Sequence, residues 1–171
     1  SNVVILGGTG PVGVASAVIC AKAGANVTLV GRSLEKAEKI AGICNDRYDS
    51  KNVKGGADAD KSDFFNVADI VLNTGAAGIQ LMSEEHIKNS NTLKICADTN
   101  AVPPSGIAGV DVMDNGKVID MSPSKCLGIG ALAIGNIKYK SQHECLKLMY
   151  SSEKPVYLDF EDAFKFAQKS V

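Results

Sequence analysis

Val3-Val4-Ile5-Leu6-Gly7-Gly8-Thr9-Gly10-Pro11-Val12-Gly13 is the stretch that decides how the rest of the chain is read. Val3 to Leu6 is an uninterrupted apolar run, the pattern of a strand buried on both faces. It breaks into Gly8-x-Gly10-x-x-Gly13, and a helical pattern follows at once. In that context the spacing builds a phosphate-binding turn for a dinucleotide. Gly8 allows the tight turn, Gly10 lets the backbone approach a pyrophosphate, and Gly13 lets the helix pack on the strand. The helix N-terminus behind the turn offers free N–H groups and the positive end of its dipole. Pro11 suits the first helical position, where a missing N–H costs nothing. Thr9, Pro11 and Val12 complete the candidate phosphate site between the glycines.

Working outward, Pro11 to Ala23 reads as the first helix, with Gly24 as its stop. Asn26 to Val30 is a second strand, and a helix follows from about Leu34 to Asn45, with Glu35 and Lys39 in the favourable i,i+4 orientation. Strand, turn, helix and strand in about thirty residues make the dinucleotide-binding βαβ unit. A weak third strand is expected near Val53, with a short helix after Ala59. A fourth strand spans Val67 to Asn73 and leads into Thr74-Gly75-Ala76-Ala77-Gly78. Ser83 caps a helix to Asn89 with Glu84 and Glu85 in its first turn, and Leu93 to Asp98 is a fifth strand. Asn100 to Gly109 is a shaped loop. Val118 to Met121 and Cys126 to Ile129 are candidates for a last strand or pair. A long helix fits Leu132 to Tyr150, with Ile134, Ile137, Cys145 and Leu148 at helical spacing. Asp159 caps a final helix whose expected core face is Phe160, Ala163, Phe164 and Ala167. Alternating strands and helices with short links predict an α/β fold: a Rossmann-type, doubly wound, mainly parallel sheet with helices on both faces. Residues 1–171 are expected to form one such dinucleotide-binding domain.

The bulk composition narrows the classes. A chain of 171 residues suits one domain, and 45% hydrophobic with 22% charged residues argues against disorder. A net charge of -1 gives no reason to expect nucleic acid or an acidic membrane as partner. No apolar run approaches the roughly 20 residues that span a bilayer. The apolar start lacks a basic flank, which excludes a signal-peptide reading. Cys20, Cys44, Cys96, Cys126 and Cys145 form no C-x-x-C pair and read as reduced core thiols of a cytoplasmic protein.

Cofactor choice is read at the end of the second strand. A chain preferring NAD usually places an acid there for the ribose 2′-hydroxyl. This chain has Gly31-Arg32-Ser33, where arginine matches a 2′-phosphate in fork geometry, serine adds a hydrogen bond, and Lys36 adds charge. NADP is therefore expected. Thr74, Gly75 and Ala76 follow the fourth strand on the carboxyl edge and suit close approach of the nicotinamide ribose, and Asp98 and Asn100 sit above the same crevice. His86 and His143 show no nucleophile or metal-ligand spacing and read as packing or surface residues; no metal site is expected. Lys138 and Lys140, by periodicity alone, read as a solvated helix face.

The whole chain resembles the C-terminal, NADP-binding part of the methylene-tetrahydromethanopterin dehydrogenase family, which includes methylene-tetrahydrofolate-active members. The matching stretches are Gly8 to Gly13 with Gly31-Arg32, Thr74 to Gly78, Ala97-Asp98-Thr99-Asn100-Ala101 with Pro103-Pro104, and Gly106 to Asp111. The match continues through Gly130 to Gly135, Lys138 and Tyr150 to Glu153. The resemblance implies oxidation of a methylene carbon bridging two pterin nitrogens to the methenyl cation, with hydride passing to NADP. That cation is delocalised over two nitrogens, so the lack of an obvious acid–base pair fits the chemistry; position and electrostatics carry it. The resemblance also implies that Lys138 faces the pterin cleft as a catalytic residue.

In the family a substrate domain precedes the dinucleotide domain and supplies the other wall of the cleft. Here the first strand begins at Val3, so that domain is expected to be absent from this chain, with Ser1-Asn2 a remnant of trimming. A homo-oligomer is expected because an isolated domain leaves apolar surface to cover. Two other readings share the scaffold: a shikimate-dehydrogenase-like reductase, which needs a Lys/Asp pair, and a non-catalytic module that senses NADP.

Overall fold

A computed structural model describes residues 1–170. Seven strands form one sheet: β1 (Asn2–Leu6), β2 (Asn26–Gly31), β3 (Val53–Ala57), β4 (Ile70–Asn73), β5 (Ile95–Asp98), β6 (Asn115–Val118) and β7 (Leu127–Ile129). Their order is β3-β2-β1-β4-β5-β7-β6, parallel throughout except for the β6–β7 pair. The helices are α1 (Pro11–Lys22), α2 (Leu34–Tyr48), α3 (Lys61–Phe65), α4 (Glu84–Asn89), α5 (Ala131–Ser151) and α6 (Phe160–Gln168), with a 3₁₀ turn at Asp58–Asp60. The direction of winding reverses between β1 and β4, where an open α/β sheet leaves a crevice.

The apolar run that opens the chain is central for a simple reason. Successive side chains of β1 point to opposite faces. Val3 and Ile5 join Val27, Leu29, Ala17, Val18, Ala41 and Cys44 on the α1–α2 face. Val4 and Leu6 join Phe65, Val71, Met82, Ile87, Cys96 and Ile107 on the other face. A strand with both faces covered must be apolar at every position, and burying each such side chain contributes about 1.5–3 kcal/mol.

Element ends differ from the sequence reading where long-range contacts act. The second helix continues to Tyr48 and ends on Asp49 in a left-handed conformation (φ 52°). β4 starts at Ile70, not Val67. Val67 is 58% exposed, and Asp69 turns aside to accept a hydrogen bond from the Asn2 amide at 2.8 Å. The last strands are an antiparallel pair, and β6 lies earlier than Val118–Met121. Ile119 leaves the strand to enter the core, although its amide still donates to the Cys126 carbonyl at 2.9 Å.

The C-terminal helices depart most. Along α5 Ser141 is the sole buried residue, and α6 has none. The expected core face of α6 is only half covered. Phe160 packs on Tyr48 with ring centroids 5.4 Å apart, whereas Phe164 is 38% exposed. Lys22 of α1 pairs with Glu161 at 2.7 Å, so α6 lies along the α1–α2 face.

Candidate functional site

The glycine turn is built as its spacing predicts, with one shift. The residue that turns through positive φ is Gly7 (65°), not Gly8. Gly8 is buried and its amide donates to the Val30 carbonyl at 3.0 Å, tying the turn to β2. A Cβ on Gly7 would lie 2.5 Å from the Gly75 Cα, so the turns after β1 and β4 touch through backbone alone. A Cβ on Gly13 would lie 2.4 Å from the Gly8 carbonyl oxygen, which is why α1 can close onto the turn only at a glycine. A Cβ on Gly10 would meet nothing nearer than the Gly7 carbonyl oxygen at 3.8 Å, so the site above it is open. Gly10 is the cap residue of α1 and offers no side chain, and Pro11 stands in the first turn. A twelve-residue helix whose first amides meet no capping side chain is suited to an anion.

Above this turn lies a cavity of about 490 Å³ lined by Gly7, Thr9, Gly10, Val30, Gly31, Arg32, Asp58, Thr74, Gly75, Ala76, Ile79 and Leu81. The structure thus gathers six of the expected residues in one place: Thr9, Gly10, Arg32, Thr74, Gly75 and Ala76. Arg32 is exposed, and among the described residues it makes no ion pair. Ser33 caps α2 by accepting a hydrogen bond from the Lys36 amide at 3.3 Å; neither residue lines the cavity, and they stand one and four residues after Arg32, at the cap and in the first turn of α2. Pro11 and Val12 are exposed at the start of α1. Thr74 donates its hydroxyl to the Leu6 carbonyl at 2.9 Å, so it fixes the turn and presents its outer side to the cavity. Asp58, Ile79 and Leu81 join the lining, beyond the residues the sequence pattern marks. Asp58 stands one residue past the end of β3, the same relation that Arg32 bears to β2, and that parallel is the signal available in the sequence.

Asp98 and Asn100 hold the loop together and do not reach the cavity. The Asp98 side chain is 1% exposed. One oxygen accepts from Asn73 Nδ2 at 2.7 Å and from the Asn100 amide at 2.9 Å. The other accepts from the amides of Gly106 at 2.7 Å and Ile107 at 3.1 Å. Asn100 in turn accepts from the Gly78 and Val102 amides and donates to the Pro104 carbonyl. A buried carboxylate needs this many donors, and the donors fold the 100–107 loop over the crevice. Both side chains are engaged by the loop, and neither lines the cavity. Lys138 is exposed on α5 and lines no part of this cavity.

His86 packs its ring edge on Phe65 at 5.1 Å, and its Nδ1 accepts the Ser83 amide hydrogen at 3.0 Å, closing a reciprocal cap on α4. Burial, with Lys61 nearby, pushes its pKa below the ordinary value. All five cysteines are free. The pairing of β5 with β7 brings Cys96 and Cys126 to 3.9 Å, and the hydrogen bond to Cys126 together with burial holds the Cys96 thiol up. Among the described residues no group of three or more His, Cys, Asp or Glu side chains is placed to hold a metal ion, and no helix is long and apolar enough to cross a membrane.

The strand order, the glycine turn and the cavity at the β1–β4 reversal define a Rossmann-type nucleotide-binding fold. Solved structures of similar shape are dehydrogenases: quinate dehydrogenase from Corynebacterium glutamicum in complex with NAD (TM-score 0.61, 16% identity, 100% of this chain and 55% of that one) and shikimate dehydrogenase from Mycobacterium tuberculosis (TM-score 0.55, 15% identity, 96% and 56%). No protein-family model matches the chain. Its sequence is 39% identical over 169 residues, 97% of its length, to the NAD(P)-dependent methylenetetrahydromethanopterin dehydrogenase of Methylorubrum extorquens. It is 37% identical over 149 residues, 85% of its length, to the bifunctional protein MdtA of the same organism. By sequence, then, the chain is similar over nearly its whole length to a methylenetetrahydromethanopterin dehydrogenase. It spans about half the length of these curated relatives, 56% of one and 50% of the other.

Proposed function

We propose that this chain is the NADP-binding domain of a dehydrogenase that moves hydride from methylene-tetrahydromethanopterin, or methylene-tetrahydrofolate, to NADP in one-carbon metabolism, giving the methenyl form. The observation that carries the reading is the cavity at the strand-order reversal, in which Arg32 stands beside an uncapped helix N-terminus and backbone-only turns. The relative's name supplies the substrate class.

A nicotinamide held here would supply the hydride acceptor; the protein's share is binding and orientation. The Gly8 to Gly13 turn and the first amides of α1 hold the pyrophosphate, which Gly10 admits because nothing stands over it. Arg32, with Ser33 and Lys36 behind it, holds the 2′-phosphate in a charge-assisted grip. Thr74, Gly75 and Ala76 form the surface against which the nicotinamide ribose lies, and the Asn73–Asp98–Asn100 network keeps the neighbouring loops in register. Lys138 serves as the group facing the pterin. A reduced pterin is then the partner, the protein acts in the cytoplasm, and the exposed apolar side chains of α5 and α6 are covered in a homo-oligomer, which sedimentation would reveal.

Fluorescence titration with NADPH and NADH tests the cofactor. Arg32→Ala is expected to weaken NADPH by about tenfold or more and to leave NADH unchanged. Equal affinity of the wild type for both dinucleotides would remove the NADP assignment. Incubation with each methylene pterin plus NADP, followed by NADPH absorbance, tests the reaction. Turnover of neither pterin despite tight NADP binding would favour another reductase or a sensing module. Lys138→Ala should lower turnover without moving NADPH affinity or Tm, because the side chain is exposed.

A further inference from the structure

We propose that Asp58 reads the adenine ring of the dinucleotide by accepting a hydrogen bond from its exocyclic amine. The proposal rests on the dinucleotide reading of the cavity and adds a specificity group to it. Among the described residues, Arg32 and Asp58 are the only charged ones lining the cavity, and Asp58 is the only carboxylate. A carboxylate repels phosphate, so in a cleft suited to anions it must face a hydrogen-bond donor.

The sheet order says which donor. With the pyrophosphate at the end of β1, the sequence β3-β2-β1-β4 lays the two halves of the ligand in opposite directions. The adenosine ribose falls at the end of β2, beside Gly31 and Arg32, and the nicotinamide half falls at the end of β4, beside Thr74 to Ala76. The base continues past the ribose to the end of β3, where Asp58 opens the 3₁₀ turn. The amine is the donor that adenine carries there.

The local electrostatics suit the role. Lys61, one turn on and largely buried, places its Nζ 3.1 Å from Asp58 Oδ1 and 3.3 Å from Oδ2. It offsets the negative charge that would oppose the phosphates and sets the carboxylate's rotamer. Oxygen lone pairs beyond those that Lys61 engages stay open to a ligand, since each ionised carboxylate has about four acceptor positions. Asp58 keeps 40% of its side-chain surface exposed, so the fold does not depend on its burial.

The test compares NADPH with its hypoxanthine analogue, which carries a carbonyl oxygen in place of the amine. Wild-type protein is expected to bind NADPH about tenfold to a hundredfold more tightly than the analogue, because two acceptors then face one another. Asp58→Asn supplies an amide donor to that oxygen and should abolish or reverse the preference, with Tm unchanged. A wild type that binds both dinucleotides equally, or an Asp58→Asn protein that keeps the wild-type ratio, overturns the assignment to adenine. Loss of NADPH in Asp58→Asn with NADH spared or gained also overturns it, and would place Asp58 at the ribose. Failure of the wild type to bind either dinucleotide overturns the cofactor reading itself.

Discussion

The two ends of this chain dispose of their apolar residues in opposite ways. In β1, Val3 to Leu6 are 2% exposed or less, and each has a partner on one of the two faces of the sheet. In α5 and α6 the apolar positions repeat just as regularly, yet Leu132 is 53% exposed, Leu146 62% and Tyr150 94%. The difference teaches what periodicity measures. A spacing of three and four residues shows that a helix has an apolar face, but not which surface covers it. For β1 the covering surfaces lie within residues 1–170; most of α5 stays exposed among those residues.

That contrast can be broken from its strong side first. Gly13→Val drives a side chain into the Gly8 backbone, and the protein should lose at least about 3 kcal/mol or fail to fold, as chemical denaturation would read. If Gly13→Val kept the wild-type midpoint, the tight closure of α1 onto the turn would not exist. Next, Asp98→Ala leaves four buried donors without an acceptor and should cost about 3–5 kcal/mol. The same measurement with little loss would mean that water or a rearranged loop replaces the carboxylate.

A smaller effect depends on pH. His86 has a folded pKa below its ordinary value of 6.5, so below that pH the unfolded chain binds the proton more readily than the fold does. Stability contributed by the neutral ring is present above pH 6.5 and lost as pH falls from there through the folded value. Protonated Nδ1 cannot accept the Ser83 amide hydrogen. Lowering pH from about 7.5 to 5.5 should therefore reduce Tm more in the wild type than in His86→Gln. At the weak end of the comparison, Leu146→Gln should change stability by no more than about 0.5 kcal/mol in a monomer. A loss several times larger would show that the α5 face is covered in solution.

The same division explains what was legible in the sequence. The glycine turn, both flanking strands and the first two helices could be read because their signals are local: a gap of two or three residues, an apolar run, a stop glycine. Arg32 was legible for the same reason, as the first polar side chain after a strand. Asp98 illustrates the opposite case. A carboxylate at the carboxyl end of a strand looks the same whether it faces a ligand or a loop, and the amides that decide the matter belong to Gly106 and Ile107. Asp58 is hidden in the sequence because β3 carries Gly55 and Gly56 where a stronger strand would carry branched residues, which blurs the strand's end. The meeting of Cys96 and Cys126 follows from β5–β7 pairing and has no counterpart in their spacing.

The contact between Gly7 and Gly75 has a consequence for changing this protein by design. The floor of the cleft is made of main chain, so there is nothing on it to exchange, and almost any addition would wedge the two turns apart. Variation is confined to the walls, where Arg32 and Asp58 stand on side chains that the fold does not need buried. On the proposed reading, natural drift or an engineer would retune which nucleotide is accepted by editing those positions while the platform beneath stays the same.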